Sequence, residues 1–99
     1  MSKTQPITES GLRKLGFYKD ETAPDGVNRY IHQRKDFQSH FVTVTFKGGY
    51  ATYIFIRTTN YSPNGALDNT KTWKAEGNTL TEEDLLRGVR ETAIAIKGL

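Results

Sequence analysis

The sequence predicts a single α+β domain: an antiparallel sheet of three to four strands, a short N-terminal helix and a longer C-terminal amphipathic helix. Two patterns carry this prediction. Apolar and β-branched residues fill 40–46 and 50–58, on either side of a Gly48-Gly49 pair that is typical of a hairpin turn. A capping signal and an apolar helical stripe follow near the end of the chain. Because 99 residues suffice for one core, we expect one domain over 1–99, with 1–6 as a flexible tail.

The N-terminal helix is predicted from a capping residue and two inward-facing leucines. Thr8 can cap the helix, and Glu9 suits the positive end of its dipole. Leu12 and Leu15 would face the core, and Gly16 would end the helix. The result is a helix that can cover only part of a sheet.

The C-terminal helix is predicted over residues 82–97. Thr81 can serve as its N-cap, with three acidic residues in the first turn, and Gly98 would end it. Its apolar stripe consists of Leu85, Leu86, Val89, Ala93 and Ile96.

Strands are predicted over residues 27–32, 40–46 and 50–58, and a fourth over 70–76, which contains Trp73. Residues 18–26 are rich in Asp, Glu, Pro and Gly, which predicts a polar loop.

The third strand is apolar on both of its faces, so the register of the hairpin stays open. With a two-residue loop, one face carries Val42, Val44, Phe46, Ala51, Tyr53 and Phe55, and the other Phe41, Thr43, Thr45, Thr52, Ile54 and Ile56. If Lys47 joins the loop, Val42, Val44 and Phe46 lie with Ile54 and Ile56, opposite Phe41, Thr43, Tyr53, Phe55 and Arg57.

Either register leaves a second face that is partly apolar, which two helices of this size can hardly cover. An uncovered apolar face is typical of an interface, so we expect self-association, most simply a homodimer. The alternative is that the N-terminal segment folds over this face.

Basic and aromatic residues concentrate in the middle of the chain. Residues 27–61 hold five basic side chains against Asp36 alone, and eight of the eleven aromatic residues. This combination suits nucleic acid, since cations contact phosphates and rings stack on bases. The alternative is an ordinary sheet surface. The residues concerned include Arg29, Arg34, Phe41, Tyr53 and Phe55.

The two histidines flank Asp36 symmetrically, so a hairpin centred there would place His32 opposite His40. Such a pair could bind a metal or respond to pH. Two ligands without a third make a weak site. We therefore expect surface histidines and no bound metal.

Several classes of protein are disfavoured. The chain has no cysteine, which excludes disulfides and thiolate zinc sites. Residues 1–6 lack the apolar run of a secretory signal, and no stretch is long enough to span a membrane, so we expect a cytoplasmic protein. We find no nucleophile motif and no phosphate-binding loop, and we expect neither enzymatic activity nor a cofactor.

The segment 41–48, FVTVTFKG, followed by IFIR at 54–57, resembles the strand-turn-strand of the transcriptional positive-cofactor-four family. Asn64-Gly65 and residues 77–83, GNTLTEE, resemble its later turn and the entry to its last helix. The similarity covers about the last sixty residues and implies a homodimer that binds single-stranded DNA, with the helices at the dimer interface. It implies contacts by Phe46, Lys47 and Arg57. Asn60, next to Tyr61, replaces the family's stacking tryptophan, and Glu76 replaces a lysine.

The leading hypothesis is therefore a non-enzymatic module that binds single-stranded DNA or RNA through a basic, aromatic sheet face. The alternative is a small protein-binding regulator or inhibitor, of the kind that phages encode, which uses the same face. The expected nucleic-acid contacts are Arg29, Arg34, Phe41, Phe46, Lys47, Tyr53, Phe55 and Arg57.

Overall fold

A computed structural model describes residues 5–34, 38–61, 64 and 67–99. Within these residues the chain forms one five-stranded antiparallel sheet, with the strands in sequence order, and two helices. The α+β class is therefore confirmed. The elements are α1 (Glu9–Lys14), β1 (Tyr18–Lys19), β2 (Val27–Arg34), β3 (Gln38–Lys47), β4 (Tyr50–Tyr61), β5 (Leu67–Glu76) and α2 (Glu82–Thr92).

The expected count of three to four strands is wrong, because β1 forms inside the segment predicted as a loop. Tyr18 pairs with Ile31 there. The Asp20 amide extends the pairing by donating to the Arg29 carbonyl at 2.8 Å. Phe17, directly before β1, is buried and fixes this short strand at the edge of the sheet. The strand expected around Trp73 is present as β5.

The β3–β4 hairpin combines parts of both expected registers. Lys47 pairs with Tyr50, so Gly48-Gly49 form a two-residue turn, and both glycines have the positive φ that a type I′ turn requires. Thr45 pairs with Tyr53, however, and Thr52 is left over as a β-bulge.

The bulge shifts the alternation of β4 by one residue. Val44 therefore pairs with Ile54, and Val42 pairs with Ile56. The resulting faces are those expected from the three-residue loop, although the loop itself has two residues. We call the buried side, which carries Tyr30, Val42, Val44, Ile54 and Ile56, the core face.

Helix α1 lies on the core face. The Thr8 hydroxyl accepts a hydrogen bond from the Gly11 amide, which confirms the expected N-cap. The Glu9 carboxylate accepts a 2.8 Å hydrogen bond from the Tyr30 hydroxyl, and the Arg13 guanidinium lies 5.5 Å from the centre of the Tyr30 ring. The alternative in which the N-terminal segment covers the other side of the sheet is therefore wrong for the described residues.

Residues ahead of α1 contact the start of α2. Gln5 accepts a backbone hydrogen bond from the Glu82 amide at 2.9 Å, and Pro6 bridges to Thr81. Gln5 and Pro6, expected within a flexible tail, are thus held by the fold. Residues 1–4 lie outside the described part of the chain.

Helix α2 also lies on the core face and is shorter than predicted. Thr81 and Asp84 form a capping box, but the helix ends at Thr92 rather than Lys97. Ala93 adopts a left-handed conformation with φ 56°, and the Thr92 hydroxyl donates to the Gly88 carbonyl at 2.7 Å. Burial then alternates from Thr92 to Lys97, which is the period of an extended segment.

Trp73 packs directly against α2 at Gly88. A Cβ atom at Gly88 would lie 2.5 Å from two carbons of the Trp73 ring and 2.8 Å from Ile56 Cδ1. A glycine here, rather than a better helix former, lets the helix approach the sheet closely.

We predict that Gly88→Ala lowers the free energy of unfolding by about 1–3 kcal/mol, the usual cost of overpacking a core. The sign of the change in unfolding free energy is informative, since a glycine-to-alanine change at an open helical position raises that free energy by about 1 kcal/mol. Urea denaturation measures the difference. Gly77→Ala is the matched control, because its Cβ would lie at an ordinary 3.5 Å from Leu80. A Gly88→Ala protein as stable as wild type would contradict the close packing of Trp73.

Candidate nucleic-acid interface

The side of the sheet opposite the core face carries most of the residues expected to bind nucleic acid. We call it the open face, because both described helices lie on the other side. On β3 and β4 most of its residues alternate with buried ones, although Thr43 is itself 8% exposed. By register it includes Arg29 and Ile31 on β2, Phe41, Thr43, Thr45 and Lys47 on β3, Tyr53, Phe55 and Arg57 on β4, and Thr72, Lys74 and Glu76 on β5.

Three partly exposed rings form the centre of the open face. Phe55 and Tyr53 are successive outward residues of β4. Phe41 pairs with Arg57, which makes Phe41 a diagonal neighbour of Phe55 across the β3–β4 ladder. The rings therefore run in a line along the boundary between the two central strands.

Basic side chains border this line on both sides. Arg57 lies beside Phe41 with its guanidinium 5.8 Å from the ring centre, close enough for a cation–π interaction. Lys74 pairs with Phe55 from β5, and Lys47 ends β3. Arg57, Lys74 and Lys47 are all exposed.

Arg29, the fourth basic residue, lies on the β2 side and is partly neutralised. Its guanidinium is 3.3 Å from Asp20 Oδ2. The Thr22 hydroxyl and amide both donate to the other carboxylate oxygen of Asp20. These hydrogen bonds, and then the charge of Arg29, hold the pKa of Asp20 below its usual value.

Two shallow depressions follow the line of rings and share Thr45 and Tyr53. The first, of about 360 Å³, is lined by Asp20, Arg29, Phe41, Thr43, Thr45, Tyr53 and Phe55. The second, of about 610 Å³, lies at the Lys47 end of the sheet. The two depressions are therefore neighbours on the open face.

Two of the expected contacts are not on this surface. Phe46 is 2% exposed and packs edge-on against Tyr30, with 5.8 Å between ring centres. Its inward direction follows from the alternation that buries Val42 and Val44, so the contact implied by the family resemblance is wrong for this residue. Arg34 pairs with His40 and therefore lies on the core-face side of the sheet.

Lys74 and Glu76 belong to the open face but were absent from the expected contacts. The sequence did contain a signal, because an inward Trp73 places Lys74 outward on the same strand. Only the pairing of β5 with β4 places Lys74 beside Phe55 and Glu76 beside Tyr53.

The two histidines form a contact on the core face. His32 Nδ1 lies 2.8 Å from His40 Nε2, and the rings are stacked with 4.9 Å between their centres. His40 pairs with Arg34 rather than with His32, so the histidines are diagonal neighbours, and Asp36 lies outside the described residues. His40 is 4% exposed, which overturns the expectation of surface histidines.

This geometry is that of a hydrogen bond between two rings. One nitrogen donates and the other accepts, so at least one ring must be neutral. Among the described residues no third His, Asp or Glu gathers to form a metal-binding cluster. Burial lowers the pKa of His32, whose ring also packs against Phe17 at 5.2 Å.

Comparisons of the chain with protein-family models, curated proteins and solved structures find no match. In the described part of the chain, neither helix has the length and apolar character needed to cross a membrane.

We predict that the protein loses stability as the pH falls through about 6.5, the ordinary pKa of histidine. Because the pKa of His32 is lower in the folded state, the unfolded chain binds more protons, and the stabilisation present above pH 6.5 is lost below it. Urea midpoints between pH 7.5 and 5.0 measure the effect. His32→Gln keeps a hydrogen-bonding group but cannot titrate, so its profile should be flatter. Profiles of equal slope would contradict this role of the pair.

Proposed function

We propose that this protein is a non-enzymatic module that binds single-stranded nucleic acid across the open face. The observation that carries the proposal is the line of three rings, Phe41, Phe55 and Tyr53, on the side of the sheet that the described helices leave uncovered. Ring faces stack on nucleobases with little dependence on sequence, at about 1–3 kcal/mol per base.

The charges beside the rings fit the same ligand. Described side chains on the strands of this face include four basic residues, Arg29, Lys47, Arg57 and Lys74, and one acidic residue, Glu76. A backbone that follows the ring line would pass exposed cations at Arg57, Lys74 and Lys47. Cations that neutralise phosphates release counterions, which makes such binding strongly dependent on salt.

The shape of the face favours single strands over a duplex. The two depressions are shallow and lie on a sheet, and they present rings rather than a protruding helix or loop. Bases can reach those rings only when they are unstacked and unpaired. The resemblance to the positive-cofactor-four family implies the same ligand, and membership of that family stays a prediction. A cytoplasmic location also stays a prediction.

Other occupants of the open face are a second copy of the chain or a different protein. An apolar protein interface would also bury the rings, but it would leave the exposed cations without anionic partners. Its affinity would depend only weakly on salt. The homodimer expected from the sequence therefore becomes an outcome of the experiments below.

We predict that single-stranded DNA or RNA binds at low salt, with an affinity that falls on a log-log plot by about 0.7 per phosphate neutralised. Lys74→Ala should make that slope shallower by a fraction of a unit to about one unit. Lys71→Ala is the matched control, since Lys71 is an exposed lysine of the same strand but lies on the core-face side. Fluorescence anisotropy over a salt series measures both slopes, with DNA and RNA probes in separate arms.

Equal slopes for the two lysine variants would contradict contact at the open face. If neither probe binds at low salt, the proposal is wrong. A dimer found by sedimentation in that case would favour a second copy as the occupant, and a monomer would favour a different protein partner.

We predict that Phe55→Leu weakens binding about 5- to 150-fold, the equivalent of one stacked base, without changing the salt slope. Leucine keeps an apolar side chain of similar reach but has no ring face. Tyr53→Phe keeps the ring and should bind as wild type on thymine oligonucleotides. Anisotropy titrations measure both, and unchanged affinity in Phe55→Leu would show that the ring does not stack on a base.

A further inference from the structure

The depression at the Lys47 end of the open face has different chemistry from the depression beside Phe41 and Phe55. It measures about 610 Å³ and is lined by Thr45, Lys47, Thr52, Tyr53, Glu76 and Asn78, along with a glycine. It thus places a ring, an ammonium group, a carboxylate and an amide around one space.

The walls of this pocket are fixed by backbone hydrogen bonds. The Thr52 bulge turns its carbonyl to accept from the Gly77 amide at 3.1 Å, and the Leu80 amide donates to the Ala51 carbonyl at 2.8 Å. These bonds hold the turn that follows β5 against the start of β4. Gly77 adds no side chain, which leaves the pocket open between Glu76 and Asn78.

Among the polar side chains of the pocket, the Thr52 hydroxyl donates to the Thr45 carbonyl at 3.4 Å, whereas three others have no partner among the described residues. The side chains of Lys47, Glu76 and Asn78 make no hydrogen bond or ion pair with the described residues, in contrast to those of Asp20 and Arg29 further along the face. Glu76 also pairs directly with Tyr53 across the β4–β5 ladder, so its carboxylate borders the ring. A planar ligand on the Tyr53 ring would therefore present its edge to Glu76.

We infer that this pocket binds one guanine base of the single strand, an inference that rests on the proposed function. Guanine carries two adjacent donors on its Watson–Crick edge, the N1 imino and N2 amino groups, which match the two oxygens of a carboxylate. Adenine and cytosine present one amino donor beside an acceptor, and thymine presents an imino group between two carbonyls. Each of these would place an acceptor against the carboxylate.

The remaining groups complete the site for a nucleotide. The Tyr53 ring provides the stacking surface, and Lys47 supplies a cation for an adjacent phosphate. The Asn78 amide can donate to the guanine O6 carbonyl or accept from its amino group. Glu76 is thus the main specificity-determining residue, assisted by Asn78, of a surface whose other contacts read no sequence.

The test compares thymine oligonucleotides that contain one guanine, one inosine or no purine, measured by anisotropy at fixed salt. Inosine lacks only the N2 amino group. Guanine should bind about 10-fold more tightly than inosine, the usual discrimination of a bidentate base contact. The Glu76→Gln variant should bind the guanine and inosine oligonucleotides with equal affinity. Glu91→Gln removes the same charge from an exposed position on α2 and should keep the preference.

Each outcome has a distinct meaning. If all three oligonucleotides bind wild type with equal affinity, or if Glu76→Gln keeps the preference, the guanine pocket is wrong while the proposed function stands. If none binds at low salt, the proposed function fails, and the pocket inference fails with it. Thermal melting confirms that Glu76→Gln is folded, as expected for an exposed side chain.

Discussion

The β-bulge at Thr52 determines which side chains this sheet buries. In a regular ladder from the Gly48-Gly49 turn, Tyr53 and Phe55 would lie under the helices, and Ile54 and Ile56 would face outward. One extra residue exchanges those sets. The aliphatic side chains of β4 then complete the core, and its aromatic ones lie on the open face. The bulge also fixes the pocket at the Lys47 end, because its carbonyl holds the turn that follows β5.

Both helices use the core face, and this leaves the sheet covered on one side in the described residues. Helix α1 is tied to β2 through Glu9 and Tyr30, and α2 approaches β5 closely because Gly88 leaves room for Trp73. Stability therefore comes mainly from the core face, where the largest fully buried side chains lie. The residue types of the open face are then not constrained by packing against the helices, which agrees with the mixture of rings and cations there.

The sequence predicts local structure well where one signal dominates. The caps at Thr8 and Thr81 and the Gly48-Gly49 turn are specified by short-range chemistry, and all three are present. The bulge could not be predicted, because both faces of β4 are apolar. Either register would bury apolar side chains of this strand, so neither is disfavoured. The end of α2 was missed for a related reason, since Ala93 and Ile96 continue the helical stripe, whereas Ile94 and Ile96 fit an alternating segment.

The candidate surface was predictable in part. Phe41, Tyr53, Phe55 and Arg57 were named from the concentration of rings and cations, and one of the two registers already grouped them. Phe46 was assigned through a short motif, and motif resemblance carries no information on which face a residue occupies. Lys74, Glu76 and Asn78 come from the fourth predicted strand and its turn, so their positions depended on long-range pairing.

We propose that the open face, and not the helical side, contacts single-stranded nucleic acid. The most direct measurement is a titration of isotope-labelled protein with a single-stranded oligonucleotide at low salt, followed by NMR chemical shifts. We expect the largest shifts at the backbone amides of Phe41, Tyr53, Phe55, Arg57 and Lys74, and the smallest along α1 and α2. Shifts centred on the helices, or no shifts at all, would contradict the claim.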